Sequence, residues 1–138
     1  MAKTSTAPFA QTPKTATAVA TAAVSGLATD APTGTVLLAT AGAEGAIVTR
    51  LSAMPRATAT ASSLVLFLSK DGGTTKRLID SELMAAHTVA ATTAIPETAF
   101  ANISDSSPLR LEAGDSLYVG SQVALASGIV FAAQWMDY

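Results

Sequence analysis

The chain has no cysteine. A disulfide framework and a thiolate metal site are both excluded. It has one histidine, His87, so the clustered imidazoles of a zinc site cannot be gathered either. Charge is scarce: Asp, Glu, Lys and Arg make up 13% of 138 residues, against roughly 25% in ordinary soluble domains. A small domain with so few charges is poorly equipped to keep its whole surface in water. Much of that surface is expected to face other protein; the plainer alternative is a threonine-rich sandwich that stands alone. No stripe of Lys or Arg runs along the chain, which leaves nucleic-acid binding without an electrostatic footprint. Long apolar runs are missing too. The stretch from Ala16 to Ala28 is interrupted by Thr17, Thr21, Ser25 and Gly26, and it is too short and too polar to span a bilayer. Lys3 precedes an Ala-rich region, but that region lacks the leucine core of a signal peptide, so export is not expected.

What the chain does have is period-two patterning. Leu109, Leu111, Leu117 and Val119 are apolar at alternate positions, with Gly114-Asp115 between the pairs. That period puts the four side chains on one face of a sheet, joined by a turn. The run Gly128 to Tyr138 is strand-like to its last residue, which builds the terminus into a sheet. Upstream, Gly34 to Ala41 reads as a strand, Gly42 to Gly45 as a turn, and Ala46 to Ala53 as the return strand ended by Pro55. Ser63-Leu64-Val65-Leu66-Phe67-Leu68-Ser69 is the strongest strand, and its unbroken apolar run predicts burial on both faces or a central position. Asp71-Gly72-Gly73 supplies the next turn, and Thr75 to Leu83 returns. Glu82 to Ala91 is ambiguous and allows one helical turn. Ile95 to Phe100 reads as an edge strand or loop, since proline suits an edge. Asn102 to Ser107 is a polar loop. About eight strands at spacings of roughly 8–14 residues predict an all-β fold, an antiparallel jelly-roll-like β-sandwich.

Residues 1–33 differ from the rest. They are low in complexity, mostly Ala and Thr with some Pro and Lys, and they hold no acid before Asp30. Pro8 and Pro13 discourage a helix, and threonines at 15, 17 and 21 around Val19 suit an extended chain. Standing alone, such a segment cannot bury enough apolar surface to order itself. The division expected is therefore an extended N-terminal arm, 1–33, and a β-sandwich domain, 34–138. The arm is expected to borrow its rigidity from adjoining protein. Net charge is −2, with the basic excess in residues 1–62 and the acidic excess in residues 63–138.

No candidate reaction centre outweighs its structural explanation. His87 sits in a plain Ala-Ala-His-Thr context with no Gly-x-Ser-x-Gly elbow anywhere. Ser69 to Thr74 lacks the Walker spacing and the acid spacing of a calcium loop, and reads as a hairpin turn. Glu112 and Asp115 flank a tight connection that already explains them. Asn102-Ile103-Ser104 fits the glycosylation pattern, which is moot without secretion. Phe131 and Trp135 share parity in an extended run and read as core rather than as a carbohydrate platform. No catalytic residue, metal ligand or cofactor is expected.

A resemblance enters with Leu38-Ala39-Thr40-Ala41-Gly42-Ala43-Glu44-Gly45-Ala46-Ile47-Val48-Thr49-Arg50-Leu51. A strand ending in Thr-Ala-Gly-Ala, a Gly turn, and a strand carrying Arg before Leu resemble small virion proteins of tailed bacteriophages. Leu64 to Leu68, Asp71-Gly72-Gly73, Leu111 to Val119 and the aromatic end Trp135-Met136-Asp137-Tyr138 continue the likeness, which covers residues 34–138 and not the arm. It implies a capsid decoration (cement) protein bound to the major capsid protein on the virion surface, made in the host cytoplasm. The unit Leu111 to Val119 also resembles the Gly-Asp hairpin of tumour-necrosis-factor-like jelly rolls, which implies a homo-oligomer, a trimer first. Within the arm, Lys3, Phe9 and Lys14 are the long charged or aromatic side chains and the expected partner-binding anchors. Rival readings are a receptor- or carbohydrate-binding fibre or spike module, a tail, neck or collar subunit, and an enzyme built around His87 or the acids.

Overall fold

The computed structural model describes residues 9–138. All the regular elements among them are strands: β1 (Thr12–Ala20), β2 (Val36–Thr40), β3 (Ala46–Pro55), β4 (Ser62–Ser69), β5 (Arg77–Met84), β6 (Thr98–Ala99), β7 (Leu109–Leu111), β8 (Ser116–Ser121) and β9 (Ile129–Asp137). They form two antiparallel sheets. One has the order β1-β9-β3, with β6 and β7 sharing the far side of β3; the other has the order β2-β8-β4-β5. The chain is an all-β sandwich, as the period-two patterning requires. Its pairing is nested: β1 with β9, β2 with β8, β3 with β6 and β7, and β4 with β5. Successive nested pairs alternate between the sheets.

Small residues flank large ones in the core. Ala18 lies opposite Phe131 on one side and Ala53 lies opposite it on the other, and Phe131 is fully buried. Ala16 and Leu51 flank Ala133 in the next row. Leu64, Leu66, Leu117 and Val119 of the second sheet complete the same cluster. Rows that alternate in size let two sheets interdigitate at native density. Burial of this cluster supplies most of the folding free energy, since each fully buried large apolar side chain contributes about 1.5–3 kcal/mol. Phe131 and Trp135 belong to it, as their shared parity predicts.

β4 is buried on both faces. Leu64 and Leu66 face the main core, whereas Val65 and Phe67 form a second cluster with Val24, against which Leu27 and Tyr118 pack. The cover on that outer face is the connection from β1 to β2. Val24 donates its N–H to the Ser121 carbonyl (2.8 Å), and Lys76 donates its N–H to the Asp30 carbonyl (2.7 Å). Gly34, at φ +81°, passes so close to the Ala23 carbonyl that a Cβ there would lie 2.4 Å from the oxygen. Only glycine meets both demands.

Two expectations are corrected. The division at residue 33 has no counterpart in these contacts. β1 is a full strand of the first sheet, paired with β9 from Thr12↔Asp137 to Ala20↔Ile129, and residues 21–35 lie over the second sheet. The physical reason is that Ala16, Ala18 and Ala20 are the small partners that Ala133, Phe131 and Ile129 require. The threonines and valine between them take the other face. Residues 12–33 thus take their rigidity from their own domain. The helical turn allowed over Glu82 to Ala91 is also absent: β5 runs to Met84, and His87 then makes an isolated bridge with Ala59. The strands among the described residues number nine, in keeping with the eight or so expected; the edge of β3 is shared by two short pieces, β6 and β7, with the Asn102–Ser107 loop between them.

Candidate assembly surface

The N-terminal anchors fall into three situations. Lys3 lies outside the described residues. Phe9 precedes β1 and is 59% exposed. Lys14 is exposed on β1, opposite Trp135, so its register matches the inward rows rather than the outer face. The structure places Phe9 and Lys14 at the same end of β1 but gives them no shared partner.

The more continuous feature is β1 itself. It is nine residues long and forms the border of its sheet. Tyr138 donates its N–H to the Gly45 carbonyl (3.2 Å), and Gln11 donates its N–H to the Asp137 carbonyl (2.9 Å). Asp137 therefore turns its backbone groups toward β1 and away from β3. Antiparallel alternation then directs Thr12, Lys14, Ala16 and Ala18 at β9, and directs Pro13, Thr15, Thr17 and Val19 at the open side. Pro13, with no N–H to give, falls in the outward set, where it costs no ladder bond. The N–H and C=O groups of Thr15, Thr17 and Val19 have no backbone partner on that side among the described residues.

The same outward set makes an uncharged face. Pro13, Thr15, Thr17 and Val19 lie beside Met136, Gln134, Ala132 and Val130. Val19, Val130 and Met54 align across three strands, and Val19 and Met54 are each 38% exposed. The flanking charge, Arg50 on β3, is paired with Glu97. Natural sheet borders are usually blunted by charge, bulges or cover. After Lys14, β1 carries none of the charge, and its pairing with β9 runs without a bulge.

The chemical candidates resolve into structural roles. Asp71 accepts the Thr75 N–H (2.8 Å) and the Ser69 hydroxyl (3.0 Å), while Ser69 Oγ accepts the Gly73 N–H (2.8 Å). Those bonds, the Thr75 N–H foremost, hold the Asp71 carboxyl below the usual carboxylate range. The loop's polar groups are spent on its own turn. Asp115 is 4% exposed and accepts both the Glu112 N–H (2.9 Å) and Lys70 Nζ (2.9 Å). Glu112 reaches the same lysine at 3.5 Å. Lys70 is raised above its ordinary value, first by the Asp115 hydrogen bond. This is an ion-paired turn, and Lys70 is the member that sequence reasoning missed. His87 is tied by its backbone to Ala59 (2.9 Å each way). Among the described residues, no group of three or more His, Cys, Asp or Glu could hold a metal ion. Tyr118, which sequence patterning assigned no partner, has Lys76 Nζ 4.7 Å from its ring centroid.

Among the described residues, no helix is long and apolar enough to cross a membrane. No protein-family model, curated protein or solved structure matches this chain.

Proposed function

We propose that the chain is a structural virion protein that decorates a tailed-bacteriophage capsid by binding its major capsid protein. The observation that carries the reading is the border strand β1: outward backbone groups at Thr15, Thr17 and Val19 beside a face with no charge on either strand. Such a border recruits an extended segment of another chain by backbone pairing, while the uncharged face buries against the partner at little desolvation cost. The mechanism differs from that of a free arm. Residues 12–33 are held by their own domain, so the contact is the strand's open side and not a clamp reaching outward. Many small contacts repeated over a shell stabilise it by avidity. The phage assignment itself is supported by the strand-and-turn likeness over residues 34–138. The nested pairing, alternating between sheets, is the winding we read as a jelly roll, an architecture common in viral shell domains. The homotrimer implied by the Leu111 to Val119 hairpin belongs to the same proposal.

The test is co-sedimentation with shells assembled from the major capsid protein of the same virus, with light scattering to weigh the free protein. Wild-type protein is expected to pellet with shells, and the Thr15→Lys/Thr17→Lys variant is expected not to. Both sites are exposed, so the variant should fold normally. Wild-type protein left in the supernatant overturns the virion reading. Equal pelleting of the variant overturns the role of β1. A monomer mass removes the trimer.

A further inference from the structure

β1 runs beside β2, and each is the border of its own sheet. That side of the sandwich therefore ends on two strand edges, with no strand across them among the described residues. The inward rows of the first sheet stop there. Lys14, Trp135 and Val48 make one row, Ala16, Ala133 and Leu51 the next, and Ala18, Phe131 and Ala53 the third. Ala16 and Ala18 pack against the core yet stay half-buried, as does Val36 on β2. Small side chains at the end of a row leave volume beyond them. Phe131 fills such volume between two alanines inside the sheet, and the place beyond Ala18 is open to a large side chain in the same way. These positions are all within reach: Lys14, Thr15, Thr17 and Val19 are exposed.

Pairing geometry selects what an added strand presents there. Thr15, Thr17 and Val19 offer it their N–H and C=O groups, so partner residues opposite them form hydrogen-bonded pairs and turn their side chains to the outer face. Partner residues opposite Lys14, Ala16 and Ala18 form the other kind of pair, with Cα atoms about 4.5 Å apart, and turn their side chains inward. Lys14 carries the one charge of β1 and has no ion-pair partner among the described residues. A carboxylate opposite it is favoured and a cation is repelled. Every strand pair of this fold is antiparallel, which sets the order of these residues. We infer that the segment received by β1 is an antiparallel strand reading apolar-x-apolar-x-acidic, its two apolar side chains over Ala18 and Ala16 and its carboxylate beside Lys14. This rests on the border-strand reading and adds to it the chemistry of the partner segment.

The probe is the capped peptide Thr-Ile-Thr-Ile-Thr-Glu, titrated into the full chain and followed by amide NMR. The Thr15, Thr17 and Val19 amides should exchange freely before it is added and become protected on binding, with a Kd on the order of 0.1–1 mM. Ile-Ile-Thr-Thr-Glu-Thr has the same composition without the alternation and should bind at least about tenfold more weakly, because one isoleucine loses its place on the rim. Thr-Ile-Thr-Ile-Thr-Lys should bind about three- to tenfold more weakly, because like charges then face each other. Lys14→Glu, an exposed change, should reverse that last preference. The three peptides on the wild-type chain keep the test decisive even if the variant misfolds. Equal binding of the alternating and shuffled peptides overturns the inference, as does a Lys14→Glu variant that still prefers the Glu-ended peptide. Failure of every peptide to bind overturns it too. So does protection of the Thr15 and Thr17 amides in the free chain, which gives the border to a second copy or to residues 1–8. No shells are used, so the two readings fail separately: pelleting that Thr15→Lys/Thr17→Lys abolishes keeps the border reading even where the peptide preference is absent.

Discussion

Gly120 and Val24 offer a sharp test of how the β1–β2 connection is seated. Gly120 lies in β8, and its φ is outside the left-handed region, so its backbone accepts alanine. The obstacle is purely steric. A Cβ at Gly120 would lie 2.3 Å from Val24 Cγ2 and 3.4 Å from the Gly34 carbonyl oxygen. Val24 is only 7% exposed and has Val65 and Phe67 beside it, which limits its retreat. Forcing an extra methyl into such a contact costs about 1–3 kcal/mol. Val24→Ala removes two buried methyl groups at about 0.8 kcal/mol each; with partial collapse of the space left, its cost is about 2 kcal/mol. If the two were independent, the double variant would lose about 4 kcal/mol, a large share of the ~5–15 kcal/mol that holds a domain folded. They are not independent, because the new methyl occupies the space that the old ones leave. The double variant should therefore be no less stable than Val24→Ala alone, a coupling of about 1–3 kcal/mol. Urea unfolding of the full chain measures this as midpoint shifts at constant slope. Additive losses, or a Gly120→Ala variant as stable as wild type, would falsify the seating of the strap on the second sheet.

Two further outcomes follow from the same geometry. Deleting residues 1–20 strips β1 from β9 and uncovers the flank of Ile129, Phe131 and Ala133; the product should give no cooperative thermal transition, whereas a native-like melt would restore β1 to the status of a detachable arm. Asp71 titrates below the usual carboxylate range, so its contribution to the 69–75 turn is complete above its unfolded pKa of about 3.9. That contribution is lost as pH falls toward the lower folded value. Protection of the Gly73 and Thr75 amides, taken as exchange relative to the intrinsic rate at each pH, should fall over that acid window in wild type and not in Asp71→Asn, and wild-type protection that does not change with pH would contradict it.

Much of the fold is written in local pattern. Leu109, Leu111, Leu117 and Val119 announce their strands by alternation alone, and Gly114-Asp115 announces the turn between them. The unbroken run from Leu64 to Leu68 signals two buried faces. β1 is legible as an extended segment but not as a core strand. Its inward residues are alanines, which carry too little apolar bulk to register until Phe131 is set beside Ala18. The candidate surface was hidden for the same reason. Exposure of Thr15, Thr17 and Val19 gains meaning once β9 is known to occupy one side only. Nor does any spacing in the chain show that Lys14, Ala16 and Ala18 end rows that begin at Val48, Leu51 and Ala53.

The sequence by itself determined an all-β chain, most of its strands and turns, and the absence of thiol or polyhistidine chemistry, because these depend on neighbours two to four residues apart and on composition. Only the tertiary structure decided that residues 12–35 are a border strand and a strap across the opposite sheet, and that the inward rows end in the open at Lys14, Ala16 and Ala18. Those facts rest on contacts between residues far apart along the chain, such as Ala18 with Phe131 and Val24 with Gly120, whose energies exist only after the sheets close on one another.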